Sequence, residues 1–263
     1  VKKERADKVL ASRGLAESRQ KAQALIMAGL VFSGERRIEK PGQMISADQE
    51  LFLKEKIPYV GRGGLKLEEA LEAFGITVLD KVAADLGAST GGFTDCLLQK
   101  GAKMVYAVDV DTTQIDWRLR EDSRVVCIEK NARYLKKDDF AHTPDVVTAD
   151  LSFISVLKVL PAVKEFMGDG PLLSLIKPQF EAGKGQVGKK GIVRDPAIHE
   201  EVLSRTTEEA FKLGFMTRGL IKSSVRGQKG NREFFICWSL TEEPLIPDEV
   251  QRLIKEAVEN EKN

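Results

Sequence analysis

Residues 85–94 read DLGASTGGFT, directly after an apolar run that begins at Val82 and directly before a segment with helical spacing. A glycine-rich turn between a strand and a helix is where an open α/β sheet holds its ligand, at the carboxyl ends of the strands. The residues present argue against two common ligands. A triphosphate loop ends in Gly-Lys-Ser/Thr, whereas this one ends in Gly91-Gly92-Phe93-Thr94 and contains no lysine. A dinucleotide turn has the spacing GxGxxG, which Gly87, Gly91 and Gly92 do not meet. Asp85, at the head of the loop, favours a ligand with an amine or a positive charge over a pyrophosphate. Asp109 ends the next apolar run, VYAVDV, and is placed to accept hydrogen bonds from a ribose.

S-adenosylmethionine carries an ammonium, a sulfonium and a ribose, and so suits this pattern. The loop Gly87, Ala88, Ser89, Gly91, Gly92 and Phe93 lets the backbone approach such a cofactor closely, with acids at both ends of the pocket. Outward from the loop, helical patterns at 65–74, 92–99, 155–166 and 196–213 alternate with strand patterns at 82–86, 104–110, 125–128, 146–149 and 172–176. EFFICWSL, 233–240, supplies a late strand. Strands alternating with helices predict an α/β fold with a parallel, doubly wound, Rossmann-like sheet.

Upstream the pattern changes. RADKVLASRGLAESRQKAQALIMAGLVFSGERRIEKPGQMISADQELFL, from Arg5, predicts a short helix around Val9 and Leu10 that Gly14 stops. A second helix follows at 19–28, capped by Ser18, with Ala22, Leu25 and Ile26 as its buried stripe and Gly29 at its end. Short strands at 30–32, 36–38 and 50–53 complete a small α+β domain, with a Ser-Gly turn at 33–34. Residues 1–55 form this head, 56–64 (KIPYVGRGG) read as a Pro/Gly-rich linker, and 65–263 form the body. Residues 1–56 hold 12 Lys/Arg against 8 Asp/Glu, a net +4 in a chain whose formal net charge is +1. A basic head on a mildly acidic body suggests a module that faces a polyanion. The head resembles the S-four-type RNA-binding domain, which implies that Arg5, Arg13, Arg19, Lys21, Arg36 and Arg37 face RNA phosphates.

Taken together, YVGRGGLKLEEAL, DLGASTGGFTDCLLQKGAKMVYAVDV, ADLSFIS, LIKPQFEAGK and GIVRDPAIHEEV resemble the TlyA family of ribosomal RNA 2′-O-methyltransferases, over nearly the whole chain. The resemblance implies an S-four-type head on an FtsJ-like body, S-adenosylmethionine as cofactor, and ribosomal RNA within the ribosomal subunits as partner. It implies a Lys-Asp-Lys-Glu catalytic tetrad of Lys66, Asp150, Lys177 and Glu233, with Lys177 as base, and adds Asn131 and Asp150 to the cofactor pocket. Two positions depart from the family pattern: Gly61 stands where Ser is more usual, and Asp111 follows VDV where Gly is usual, at the adenosine edge. Independently of the resemblance, Asp150 and Lys177 end apolar runs, where such sheets do their chemistry.

The composition sets wider bounds. With 263 residues and 42% hydrophobic content, the chain can bury one large or two smaller cores. Cys96, Cys127 and Cys237 are far apart and only His142 and His199 accompany them, so neither a metal site nor a disulfide framework is predicted. The Lys-rich start has no apolar signal segment behind it, and no run approaches the roughly 18–20 apolar residues of a membrane span. The expectation is a soluble, cytoplasmic protein. Three other readings are a membrane-active protein, because some relatives carry the name haemolysin, a pseudouridine synthase carrying the same head, and a non-catalytic RNA-binding module.

Overall fold

The computed structural model describes residues 3–259 except 28, 34–35, 47, 54–57, 184, 228 and 244. The expected helix end at Ala28, the Gly34 of the turn and the first residues of the expected linker lie outside the described residues. The chain divides into two compact units, Val1–Ile57 and Pro58–Asn263.

In the first unit, β1 (Lys3–Arg5) runs into α1 (Ala6–Ser12), followed by α2 (Arg19–Met27), β2 (Val31–Ser33), β3 (Arg36–Arg37), β4 (Met44–Ser46) and β5 (Phe52–Leu53). Gly14 and Gly29 take the left-handed conformation that ends each helix. The Ser18 hydroxyl accepts from Lys21 N at 3.1 Å, as an N-cap should. β1 pairs antiparallel with β4, and β2 lies between β3 and β5. Val9, Leu10, Ala22, Ile26, Val31, Ile38, Ile45 and Leu51 form the core. The sequence reading has no counterpart for β1 and β4, three residues each, one of them the charged run Lys-Glu-Arg.

The second unit contains α3 (Gly63–Ala73), β6 (Val82–Leu86), α4 (Gly92–Gln99), β7 (Met104–Asp109), α5 (Trp117–Arg120), β8 (Val125–Glu129) and β9 (Val146–Ala149). After these come α6 (Leu160–Phe166), β10 (Leu172–Ile176), α7 (Pro178–Glu181), α8 (Pro196–Lys212), β11 (Met216–Lys222), β12 (Phe234–Ser239) and α9 (Pro247–Glu259). The seven strands lie in the order β11-β12-β10-β9-β6-β7-β8. The expected parallel sheet holds for β8, β7, β6, β9 and β10. β12 is the correction: it runs antiparallel to both of its neighbours, β10 and β11. Only residues 223–233 separate β11 from β12, with no helix among the described residues, and a parallel return needs a longer crossover.

Two further differences have local causes. The helix expected over 155–166 is broken: Ser155 caps a single tight turn, and α6 starts at Leu160 with Pro161 in its first turn. Proline has no N–H to give the preceding turn, so the helix begins around it. Residues 58–64 do not act as a spacer. Val60 N donates to Asp95 Oδ2 at 2.8 Å, Gln99 Nε2 donates to the Pro58 carbonyl at 3.0 Å, and Tyr59 is buried. The segment is a wall of the second unit, and α3 begins within it.

Candidate active site

The carboxyl ends of β6, β7, β9 and β10 open onto one cavity of about 1080 Å³. Its lining includes Gly87, Ala88, Ser89 and Phe93 from the glycine loop, Asp109 at the end of β7, Asn131 beyond β8, and Asp150 and Lys177 beyond β9 and β10. Lys66 of α3 and Glu233 before β12 complete it, so all four residues of the expected tetrad share one wall system. They form two ion pairs. Lys177 Nζ lies 2.6 Å from Asp150 Oδ1 and donates to Ser152 Oγ at 2.9 Å. Lys66 Nζ pairs with Glu233 Oε2, both side chains being almost fully buried.

The loop is built for close approach. Gly87 has φ +84°, and a Cβ there would come within 2.6 Å of the Asp150 carbonyl oxygen. Asp109 Oδ2 accepts from Ser89 N at 2.8 Å and Oδ1 accepts from Asp111 N at 3.1 Å. A carboxylate has about four acceptor positions, so Asp109 keeps capacity for ribose hydroxyls while its own orientation is set. Asn131 Oδ1 accepts from Arg133 N at 3.1 Å, which fixes the amide at the cavity wall. The two departures from the family pattern have distinct fates. Gly61 lines the cavity beside Thr90, whereas Asp111 does not line it and instead accepts from Gln114 Nε2 at 2.9 Å, holding a side chain that does.

Two expectations need correction. Asp85 is not at the cavity: it is fully buried beneath the loop, where it accepts from Thr94 Oγ1 at 2.7 Å. Burial, with Asp150 nearby, pushes its carboxyl up to about 7 against the bonds from Thr94 and Thr148. It therefore ties β6 to α4 and does not meet an amine of the ligand. Gly91 also faces away, towards Leu119 and Ile115. In the first unit, Arg5 and Arg19 are tied to Asp7, and Arg13 Nη1 donates to the Gln49 carbonyl at 2.7 Å; Lys21, Arg36 and Arg37 are exposed.

Sequence reasoning missed Gly61, Arg62 and Gly63, which line the cavity but read as linker. It also missed Ser152, although ADLSF places it two residues from Asp150, and the Phe153–Phe180 pair at the rim, with ring centroids 5.1 Å apart. Phe153 is 90% exposed with φ +64°.

Comparison with known proteins places this geometry. The FtsJ-like methyltransferase family matches residues 59–240, and the S4 domain family matches residues 4–51. The Bacillus subtilis protein YqxC is 47% identical over 97% of this chain and 94% of its own length. The Mycobacterium tuberculosis 16S/23S rRNA (cytidine-2′-O)-methyltransferase TlyA is 42% identical over 92% of this chain and 91% of its own. The chain belongs to the TlyA/hemolysin A family. A solved structure from Streptococcus thermophilus, 44% identical, covers 99% of both chains with a TM-score of 0.76. The family joins an S4 RNA-binding domain to an FtsJ-like, S-adenosylmethionine-dependent methyltransferase body, and the seven-stranded sheet is of that methyltransferase kind. A methyltransferase body sets aside the pseudouridine synthase and the non-catalytic module. Among the described residues, no helix is long and apolar enough to cross a membrane.

Proposed function

We propose that this protein, in the cytoplasm, transfers a methyl group to the 2′-hydroxyl of a cytidine in ribosomal RNA, with residues 1–55 holding RNA and the cavity of the body carrying the reaction. The carrying observation is the pair Lys177–Asp150, 2.6 Å apart on the wall of the cavity that the glycine loop also lines. Cytidine as the target follows the activity named for the Mycobacterium tuberculosis TlyA.

When bound, S-adenosylmethionine supplies a methyl group on a good leaving group, so the protein needs chiefly to align the hydroxyl and remove its proton. Gly87, Ala88 and Ser89, which line the cavity, would cradle the cofactor, and Asp109 would accept from its ribose. Asp150 adds a negative charge to the cavity that receives the sulfonium. Lys177 is the base that takes the proton of the 2′-hydroxyl, while Asp150 and Ser152 hold Nζ in place. Lys66, fixed by Glu233, positions the target ribose and its phosphate.

Single-turnover methylation on saturating ribosomal subunits tests this reading, with cofactor and RNA binding measured separately. Lys177→Ala is expected to lose ~10²–10⁴-fold in rate, the typical contribution of a general base, while both affinities hold. Lys66→Ala is expected to lose less. Near-normal turnover in Lys177→Ala would remove it as the base and leave alignment as the whole of the catalysis. Mapping the methylated nucleotide checks the choice of cytidine.

A further inference from the structure

The first unit buries a carboxylate beneath two arginines. Asp7, in the first turn of α1, is fully shielded from solvent. Arg5, at the end of β1, donates from Nε to Oδ1 at 3.0 Å and from Nη2 to Oδ2 at 2.9 Å. Arg19, the first residue of α2, donates from Nε to the same Oδ2 at 3.0 Å, and Gln23 Nε2, one turn later, does so at 2.8 Å. Arg5 Nη2 and Arg19 Nε share one oxygen, so they lie no more than about 6 Å apart, the two distances taken together. The acid is itself held by its backbone: Asp7 N donates to the Pro41 carbonyl at 3.1 Å, and Ala6 N to that of Gln43 at 2.9 Å.

One arginine would suffice to neutralise one buried carboxylate. Here two converge on it, and the group keeps a net positive charge. Both arginines remain open to the outside, with 40% of the Arg5 and 49% of the Arg19 side chain exposed. A guanidinium carries five N–H donors, so Asp7 occupies the Nε/Nη2 edge of Arg5 and the Nε of Arg19 and leaves others for an external anion. Each arginine also carries rotamer entropy, and a side chain already anchored gives up less of it on binding.

We propose that Asp7 is a positioning residue for RNA, holding Arg5 and Arg19 as a preformed pair that grips the phosphate backbone. This rests on the reading of the first unit as the RNA-binding part, and goes beyond it by assigning a buried acid the task of building the basic site. The opposing charge on Asp7 makes the idea sharply testable. If charge alone governed affinity, removing a negative group from an RNA-binding face would tighten binding. Positioning requires the opposite.

The experiment uses the full-length chain and ribosomal RNA extracted from purified small and large subunits, at fixed salt. Asp7→Asn is expected to bind ~10-fold more weakly, from the ordering cost returned to two arginines. In an Arg5→Ala/Arg19→Ala background the same substitution should cost nothing further, whereas a purely structural role would cost the same in both backgrounds. Thermal unfolding of each variant separates loss of fold from loss of the pair. Should Asp7→Asn unfold the head, Arg5→Lys/Arg19→Lys keeps the acid and both charges but removes the forks, and is expected to weaken binding by a similar factor. Unchanged or tighter binding in Asp7→Asn, or unchanged binding in the double lysine variant, overturns the proposal. A wild-type chain that ignores ribosomal RNA overturns instead the reading on which it rests.

Discussion

At the scale of single residues, Asp85 has a consequence that is independent of catalysis. Its buried carboxyl binds a proton up to about pH 7, whereas an ordinary aspartate in the unfolded chain releases it near 3.9. Between roughly pH 4 and 7 the native state therefore holds the proton that the unfolded state has lost, so stability falls as pH rises through that window and levels off above it. Asp85→Asn cannot titrate and lacks this descent. Urea unfolding of both proteins at steps from pH 4.5 to 8 should give a stability difference, wild type minus variant, that declines to about pH 7. A difference that rises with pH would mean that the ionised form is the favoured one. Thr94 and Thr148, which bond to this carboxyl, make Asp85 a tie between strand and helix, so some loss of stability at every pH is also expected.

At the scale of elements, the start of α3 and the start of α4 meet backbone to backbone. A Cβ on Gly92 would lie 3.2 Å from Gly64 N and 3.4 Å from the Gly61 carbonyl, and one on Gly64 would overlap the buried Tyr59 ring. This contact sets where α3 begins, and Lys66 sits in its first turn. Gly64→Ala is expected to destabilise the protein by about 1–3 kcal/mol, the usual cost of overpacking, and to weaken S-adenosylmethionine binding by displacing Gly61 and Gly63 from the cavity wall. Chemical denaturation and calorimetry read the two effects. Gly91→Val belongs with it: at φ +94° and facing Leu119, the new side chain strains the loop from behind and does not reach into the cofactor space. Its expected signature is lost stability together with weaker cofactor binding. Weaker binding at full stability would show that Gly91 touches the cofactor directly.

At the scale of the whole molecule, the division of labour predicts separable affinities. All the cavity-lining residues lie between Gly61 and Glu233, inside the second unit. Residues 58–263 alone should therefore bind S-adenosylmethionine normally by calorimetry and associate weakly with ribosomal RNA. In the full chain, Arg36→Glu/Arg37→Glu should weaken RNA binding and flatten its dependence on salt, by a slope of about 1 for each phosphate no longer neutralised. Both arginines are exposed on β3. An unaltered salt slope would move the phosphate-binding positions elsewhere on the first unit. A body that methylates subunits at the normal rate without residues 1–57 would count against the division itself.

The class of fold, the parallel strands of the sheet and the loop after β6 were legible from sequence alone, because all three rest on local rules. Apolar periodicity sets strand or helix within a few residues, Gly14, Gly29 and Gly87 mark backbone turns that other residues resist, and strand ends in an α/β sheet carry the ligand. The expected tetrad positions came from the family resemblance, carried by short motifs that each hold their residue at a strand or helix end. Tertiary structure decided what depends on partners distant in sequence. Val82–Leu86 reads the same whether Asp85 meets ligand or core; only the packing of Thr94 and Thr148 on it shows that it is buried. PYVGRGG has the composition of a linker, yet its glycines are there so that two helix starts can touch, a contact between residues about thirty positions apart. The direction of β12 likewise follows from the connection after β11. Arg5, Arg13 and Arg19 read as free basic residues until the fold brings Asp7 and the Gln49 carbonyl within hydrogen-bonding reach, because a charge shows its partner only in three dimensions.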